Sequence, residues 1–349
     1  LLNLGAGTES LHFQPCCRAY SVSALSGIPF DLNSDSIEFS LEVLLQMVRA
    51  GHEVKCLSTG PSVISESCIR LDVNVGSFLR AMLTAFLYRL QDKGVFYQPK
   101  FDLQAPGCCY QPKFHFPSSH SLALSCVNPG ERVLLLGCGP WELVQPFVDK
   151  GCQVTAIDLS IDTETQANSK HWIEADLEFF DFSQMNSSLS FDKVLALDII
   201  EHLRNPERLL LQLRNSPSTS ASEVVITTGN IAFLPQRLVL LAGFFNYGRR
   251  GILDMTHARL FTRRSLVQMV RGFGFDITEL RGIPAPYPLA LRSAATARLF
   301  LSLNAVLIRL SRGLFSYQVL VRMRAKPRLP QLLARTVSHS AALAEQHKL

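Results

Sequence analysis

Arg132 to Leu143 reads RVLLLGCGPWEL, a run of branched apolar residues that passes through two glycines into helix-type sequence. Val133, Leu134, Leu135 and Leu136 suit a strand covered on both faces, as in a parallel sheet. Gly137 and Gly139 follow at once, and helical character resumes at Glu142. A glycine turn between a strand's carboxyl end and a helix's first turn lets a ligand approach backbone that a Cβ would block, and aims free N–H groups at it. Open α/β sheets bind nucleotides at such a place. The same pattern also serves as an ordinary strand-to-helix turn, so the neighbouring sequence has to decide.

Val154 to Ile157 forms a second apolar strand ending on Asp158, about twenty residues after the glycines, where a carboxylate can accept two hydrogen bonds from ribose hydroxyls. A nicotinamide-dependent dehydrogenase has the same layout. The order of motifs separates the two. LGCGP is followed by AIDLS (Ala156 to Ser160), EADL (Glu174 to Leu177) and FDKVLALDIIEHL (Phe191 to Leu203). In this series the chain resembles class I S-adenosylmethionine-dependent methyltransferases, and the last stretch is similar to the fourth-strand motif of their ubiquinone-biosynthesis type. The resemblance covers about residues 115 to 330. It implies an α/β fold: a Rossmann-like seven-stranded sheet with helices on both faces, with a small α/β remnant ahead of it.

Composition sets outer limits. A chain of 349 residues with 47% hydrophobic content can bury one large core or two modest ones. The formal charge of +5 is modest, although Arg and Lys crowd the last third, so a nucleic-acid partner is not demanded. A basic, apolar carboxyl-terminal region also suits an anionic or lipid-linked small-molecule substrate. Nine cysteines include the neighbours Cys16-Cys17 and Cys108-Cys109, and no CxxC has a partner pair. Reduced thiols in a cytoplasmic protein are expected, with no metal. No signal peptide opens the chain, and it does not begin with Met, which points to a fragment boundary. Ile231 to Phe245 and Leu299 to Leu310 are apolar but carry Arg237 and Arg309 and are too short to span a bilayer. Peripheral contact with a membrane surface stays open, as does oligomeric state.

Residues 1–95 have a different texture. An amphipathic helix is expected from about Ser36 to Ala50, closed by Gly51. Around it, RAYS (Arg18 to Ser21), IPF (Ile28 to Phe30), Asn33-Ser34, Glu42 and Gln46 resemble the carboxyl-terminal part of family 2 glycosyltransferases of the dolichyl-phosphate mannosyltransferase kind. The half that handles the nucleotide sugar is missing, so a remnant without glycosyl transfer is expected. A second apolar stripe, from Phe78 to Leu90, reads as a packing helix. YQPKF then occurs at Tyr97 to Phe101 and again at Tyr110 to Phe114, which marks 96–114 as a linker. A methyltransferase domain is expected over 115–330 and a tail over 331–349. SSHS (Ser118 to Ser121) caps a short helix, and His120 either faces substrate or sits on a surface helix.

Methyl transfer from a sulfonium needs little covalent help, so the site must position methyl and nucleophile, exclude water and remove a proton from a hydroxyl or amine. The resemblance implies S-adenosylmethionine as cofactor: Gly137 and Gly139 beside its methionine part, Asp158 on the ribose, Asp176 near the adenine amino group. Asp198 ends strand four, and a helical turn there would put His202 on the same face with Glu201 adjacent. These three, with His257 in THARLFTRRSL (Thr256 to Leu266), are the candidates for the catalytic edge, and Arg259 is a candidate to pair an anionic acceptor. The expected function is O- or N-methylation of a small-molecule or lipid-linked acceptor. Leu135 stands where the family places an acid, and Trp141 where it places a third glycine. Two alternatives therefore stay in view: a catalytically decayed scaffold, and an NAD-dependent oxidoreductase on the same architecture.

Overall fold

A computed structural model describes residues 18–36, 38–55, 75–92, 97–103, 112–185, 190–245, 247–291, 293–329, 332–333 and 336–337. The Cys16-Cys17 and Cys108-Cys109 pairs, the start of the second YQPKF and most of the tail lie outside the described residues. Two compact units are present. One comprises Leu1–Tyr110 with Phe244–Met255, the other Gln111–Gly243 with Thr256–Leu349.

The first unit is helical over its described residues, with α1 (Val22–Ser26), α2 (Phe39–Arg49) and α3 (Val75–Asp92). The α/β layering expected of the remnant is not seen there; the described residues form no strand, only an isolated bridge between Gly248 and Asp254. Leu41 and Leu45 of α2 bury against Ala85 and Tyr88 of α3 and against Phe101. Polar residues at the heart of α2 are paired, which is what permits their burial. Gln46, fully buried, exchanges amide hydrogen bonds with Asn33, both 2.9 Å, and donates to the Lys100 carbonyl at 2.8 Å. Glu42 accepts from the Ser34 N–H at 2.7 Å and pairs with Lys100. The stripe on α3 is not wholly a packing face: Phe78, Leu79, Leu83 and Phe86 are exposed.

The second unit is built on a seven-stranded sheet in the order β3-β2-β1-β4-β5-β7-β6. Its strands are β1 (Arg132–Leu136), β2 (Gln153–Asp158), β3 (His171–Glu174), β4 (Lys193–Leu197), β5 (Glu223–Gly229), β6 (Phe275–Ile283) and β7 (Gln318–Ala325). The first five strands run parallel, and β7 enters antiparallel between β5 and β6. The Rossmann-like seven-stranded sheet with helices on both faces expected from the motifs is thus present. β1 alternates its side chains between two cores: Leu134 and Leu136 join Ile157, Val194, Ala196 and Ile226, whereas Val133 and Leu135 join Val154, Ala156 and Leu195. Leu135, 2% exposed, is a core residue on one face of the sheet.

Helices α4 (Ser119–Ser125), α5 (Trp141–Asp149), α6 (Thr163–Asn168), α7 (Pro206–Asn215), α8 (Leu234–Leu241) and α9 (Arg263–Gly272) connect and cover the sheet. α4 and α9 each begin in a reciprocal capping box, Ser118 with Ser121 and Thr262 with Ser265. Three further helices lie between β6 and β7: α10 (Tyr287–Ala290), α11 (Ala294–Leu310) and α12 (Arg312–Phe315). α10 forms within the Pro-rich stretch IPAPYPLAL (Ile283 to Leu291), because Pro288 falls in its first turn, where a missing N–H costs nothing. Among the described residues no helix is long and apolar enough to cross a membrane.

Candidate active site

The strand order reverses between β1 and β4, so the connections leaving their carboxyl ends diverge and open a crevice there. β1 ends at Leu136, in register with Ile157 of β2 and Ala196 of β4. Gly137, Asp158 and Asp198 therefore all emerge at one edge of the sheet. Gly137 and Gly139 both hold left-handed backbone, φ 64° and 62°, which a side chain would strain. At Gly137 the bare position also admits a neighbour, since a Cβ there would come within 2.0 Å of Ile199 Cδ1.

Asp158 turns its carboxylate toward this bend. Its Oδ2 accepts from the Gly139 N–H at 2.8 Å and its Oδ1 from the Leu159 N–H at 2.7 Å. Trp141 opens α5; its N–H donates to Asp162 at 2.8 Å, and its indole is half-buried on the core cluster containing Val144, Phe147 and Ile161. Asp162 also caps α6 through Thr165, so one carboxylate fastens the starts of two helices. Asp176 follows β3 on the same edge as Asp158. It is exposed, and its Oδ1 accepts from the Glu178 N–H at 2.8 Å, closing a local turn.

The catalytic candidates meet around the turn after β4. Asp198 takes left-handed backbone, φ 56°, the one described non-glycine residue to do so, in a region where Asp is tolerated. Its Oδ1 accepts from Thr227 Oγ1 at 2.7 Å, and its Oδ2 from Ser119 Oγ at 2.9 Å and Gln318 Nε2 at 2.8 Å. Through these three donors the Asp198 carboxylate ties β4 to β5, β7 and α4. The expected helical turn is replaced by a single turn closed by His202 N–H to Ile199 O at 3.0 Å, and α7 begins only at Pro206. Left-handed Asp198 explains this, because a residue of that hand interrupts helix geometry.

Glu201 is 3% exposed and accepts from the Gly229 N–H at 3.3 Å. Burial, and then the neighbouring Asp198 carboxylate, push it up to about 8. His202 sits at the surface with its ring edge-to-face against His257, centroids 4.8 Å apart, and its Nδ1 lies 3.3 Å from the Thr256 carbonyl. The segment bearing His257 is tied to this turn by the Arg259 N–H, which donates to the Glu201 carbonyl at 2.9 Å. The Arg259 guanidinium pairs with Glu207 at 2.7 Å and donates to the Arg204 carbonyl at 3.2 Å. Among the described residues no group of three or more His, Cys, Asp or Glu side chains could hold a metal ion.

Sequence reasoning missed Ser119, Thr227 and Gln318 as partners of Asp198. Only Thr227 carried a signal, a hydroxyl near the end of the apolar strand EVVITTG. His120 lies on neither a surface helix nor an open face: it is 2% exposed, its Nδ1 accepts from the Lys113 N–H at 3.2 Å, and burial holds it down to about 4 although Asp198 opposes this.

The raised Glu201 carboxyl makes stability depend on pH. Its folded value lies above the ordinary 4.5, so its contribution is complete below that value and is lost as pH rises through about 8. Each unit of that interval costs about 1.4 kcal/mol. Glu201→Gln keeps an acceptor for the Gly229 N–H and carries no charge at any pH. Denaturant unfolding at pH 5 and pH 8 should show the variant gaining on the wild-type chain at the higher pH by a few kcal/mol; an equal difference at both would place the carboxylate in a more polar setting.

Residues 112–280 match the family model described as "Methyltransferase domain". The curated relatives include a ubiquinone biosynthesis O-methyltransferase of Rhodopseudomonas palustris, 29% identical over 166 residues, covering 46% of this chain and 64% of the relative. Another, from Rickettsia canadensis, is 22% identical over 157 residues, covering 44% of this chain and 65% of the relative. The chain thus spans somewhat less than two thirds of the length of these relatives. A solved S-adenosylmethionine-dependent methyltransferase from Mesorhizobium loti is similar at a TM-score of 0.39 and 16% identity, over 59% of this chain and 98% of that one. The stretch similar to a methyltransferase domain, residues 112–280, includes the glycine bend, Asp158 and the turn after β4.

Proposed function

We propose that this chain transfers a methyl group from S-adenosylmethionine to a hydroxyl or amine of a small-molecule or lipid-linked acceptor. The observation that carries the reading is the edge where the bend at Gly137 to Gly139 and the carboxylate of Asp158 meet, 2.8 Å apart, at the point where the strand order reverses. The residues suit the cofactor. Both glycines are bare and left-handed, Asp158 retains lone pairs for ribose hydroxyls, and Trp141, the feature most apt to block the crevice, has its indole against the core. When bound, the cofactor supplies an electrophilic methyl on a cationic sulfur with a neutral leaving group.

The chain's own part is placement and proton removal. With the Nδ1–H of His202 donating to the Thr256 carbonyl, its Nε2 keeps the lone pair that would take the acceptor's proton. His257, stacked edge-on, restrains that ring. Glu201, uncharged near neutral pH, and Asp198, fully bonded, hold the turn in shape and are positioning residues in this reading. Asp176 would border the adenine. The ubiquinone-type relatives favour a hydroxyl acceptor on an apolar molecule.

The first unit fits a glycosyltransferase remnant in one respect: the residues that carry that resemblance hydrogen-bond in pairs, Asn33 with Gln46 and Ser34 with Glu42. No turnover of sugar nucleotides is expected of it.

Calorimetry of the full chain with S-adenosylmethionine and with S-adenosylhomocysteine tests the proposal. Binding of both, and of NADH to neither the same site nor another, is expected. Binding of neither sulfur ligand to folded protein removes the activity, and competitive binding of NADH would favour the oxidoreductase reading.

A further inference from the structure

Helix α11 (Ala294–Leu310), inserted between β6 and β7, is apolar on two opposite sides. One side is accounted for by the protein. Ala297, Asn304 and Ile308 are buried, and Asn304 fastens the helix by accepting from the Ala285 N–H at 3.0 Å and donating to the Phe315 carbonyl at 2.9 Å. At about 100° per residue, Leu299, Leu303, Val306 and Leu310 fall on the other side. Their exposures are 67%, 52%, 53% and 76%. Phe300, at 44%, widens the strip. A strip of large apolar side chains the length of a helix, turned away from the core, marks an interaction surface rather than scattered surface hydrophobes.

Charge says what the strip meets. From Glu279 to Glu345 the sequence contains no acidic residue, and the interval holds ten Lys and Arg. On the helix, Arg298 and Arg309 are exposed and lie to one side of the strip, and exposed Arg312 follows it. A second copy of this chain would set those arginines against their own kind across a two-fold axis. An anionic lipid surface neutralises them while taking the apolar side chains into the headgroup boundary, as amphipathic helices lying in the plane of a membrane do. We propose that α11 docks this protein onto anionic bilayers, with Leu299, Leu303, Val306 and Leu310 inserted and Arg298 and Arg309 on phosphates. β6, which leads into the insertion, is parallel with β1 to β5, so α11 is hung from the same edge of the sheet as the candidate site. An acceptor with a lipid tail would meet the enzyme at that edge. Docking itself does not depend on the methyl-transfer reading.

The test is co-sedimentation of the full chain with vesicles of phosphatidylcholine alone and of phosphatidylcholine and phosphatidylglycerol in equal parts. Binding to the anionic vesicles, weakening with added salt, is expected. Leu303→Glu with Val306→Glu should reduce it at least about tenfold, equivalent to about 1.4 kcal/mol, with circular dichroism and melting temperature unchanged because both positions are exposed. Arg298→Glu with Arg309→Glu should flatten the salt dependence. Indifference to phosphatidylglycerol, or binding that survives the Leu303 and Val306 changes, would overturn the proposal. So would a concentration-dependent dimer that the same changes abolish, since the strip would then belong to a second copy.

Discussion

Asp198→Ala is expected to destabilise the sheet unit by about 4 kcal/mol, because it leaves three donors without their acceptor and two of them, on Ser119 and Thr227, are at 0% exposure. The backbone adds to this, since alanine must hold φ near 56° at a cost of about 1 kcal/mol. Asp198→Asn should cost much less. Asparagine is at ease in that conformation and keeps an oxygen for Thr227, while Gln318 can turn its own amide to offer an oxygen to the new nitrogen. Removing the charge also releases Glu201, whose carboxyl the Asp198 carboxylate helps to raise, so the pH dependence of stability should shrink in both variants. Urea unfolding of the two variants beside the wild-type chain, at pH 5 and pH 8, separates these effects. Equal costs for Ala and Asn would show that the three hydrogen bonds contribute little.

The second large effect is on affinity. Asp158→Ala should weaken binding of S-adenosylmethionine and S-adenosylhomocysteine by about a hundredfold, the loss of charge-assisted hydrogen bonds worth about 2.7 kcal/mol. Because Asp158 also accepts from the Gly139 N–H, the alanine variant removes a brace of the bend as well as a ligand contact. Asp158→Asn divides the two roles, keeping an oxygen for Gly139 but presenting a weaker acceptor to ribose hydroxyls. Calorimetry should place Asn between Ala and wild type. An Asn variant as weak as Ala would assign the whole effect to hydroxyl recognition, and wild-type affinity in both would remove Asp158 from the site.

Strand periodicity, glycine placement and cap residues are local signals, and they were readable. RVLLL alternates between two cores as a doubly covered strand must, the bend at 137 to 139 follows it, and Ser118 starts the helix its side chain suits. Exposure was less legible. The stripe on α3 and that on α11 have the same helical spacing as core faces, and periodicity says that a helix has an apolar side without saying what covers it.

The candidate site divides in the same way. The motif spacing by itself determined that Gly137, Gly139, Asp158 and Asp198 sit at strand ends, because each follows directly from where an apolar run stops. Only the tertiary structure decided what Asp198 does, since its partners Ser119 and Gln318 lie 79 and 120 residues away along the chain and meet it through the order in which strands were laid side by side. The same holds for Glu201 and His202. Adjacent in sequence, one is buried and held uncharged while the other stands at the surface, a difference made by the left-handed backbone of Asp198 and by β5 passing beneath the turn.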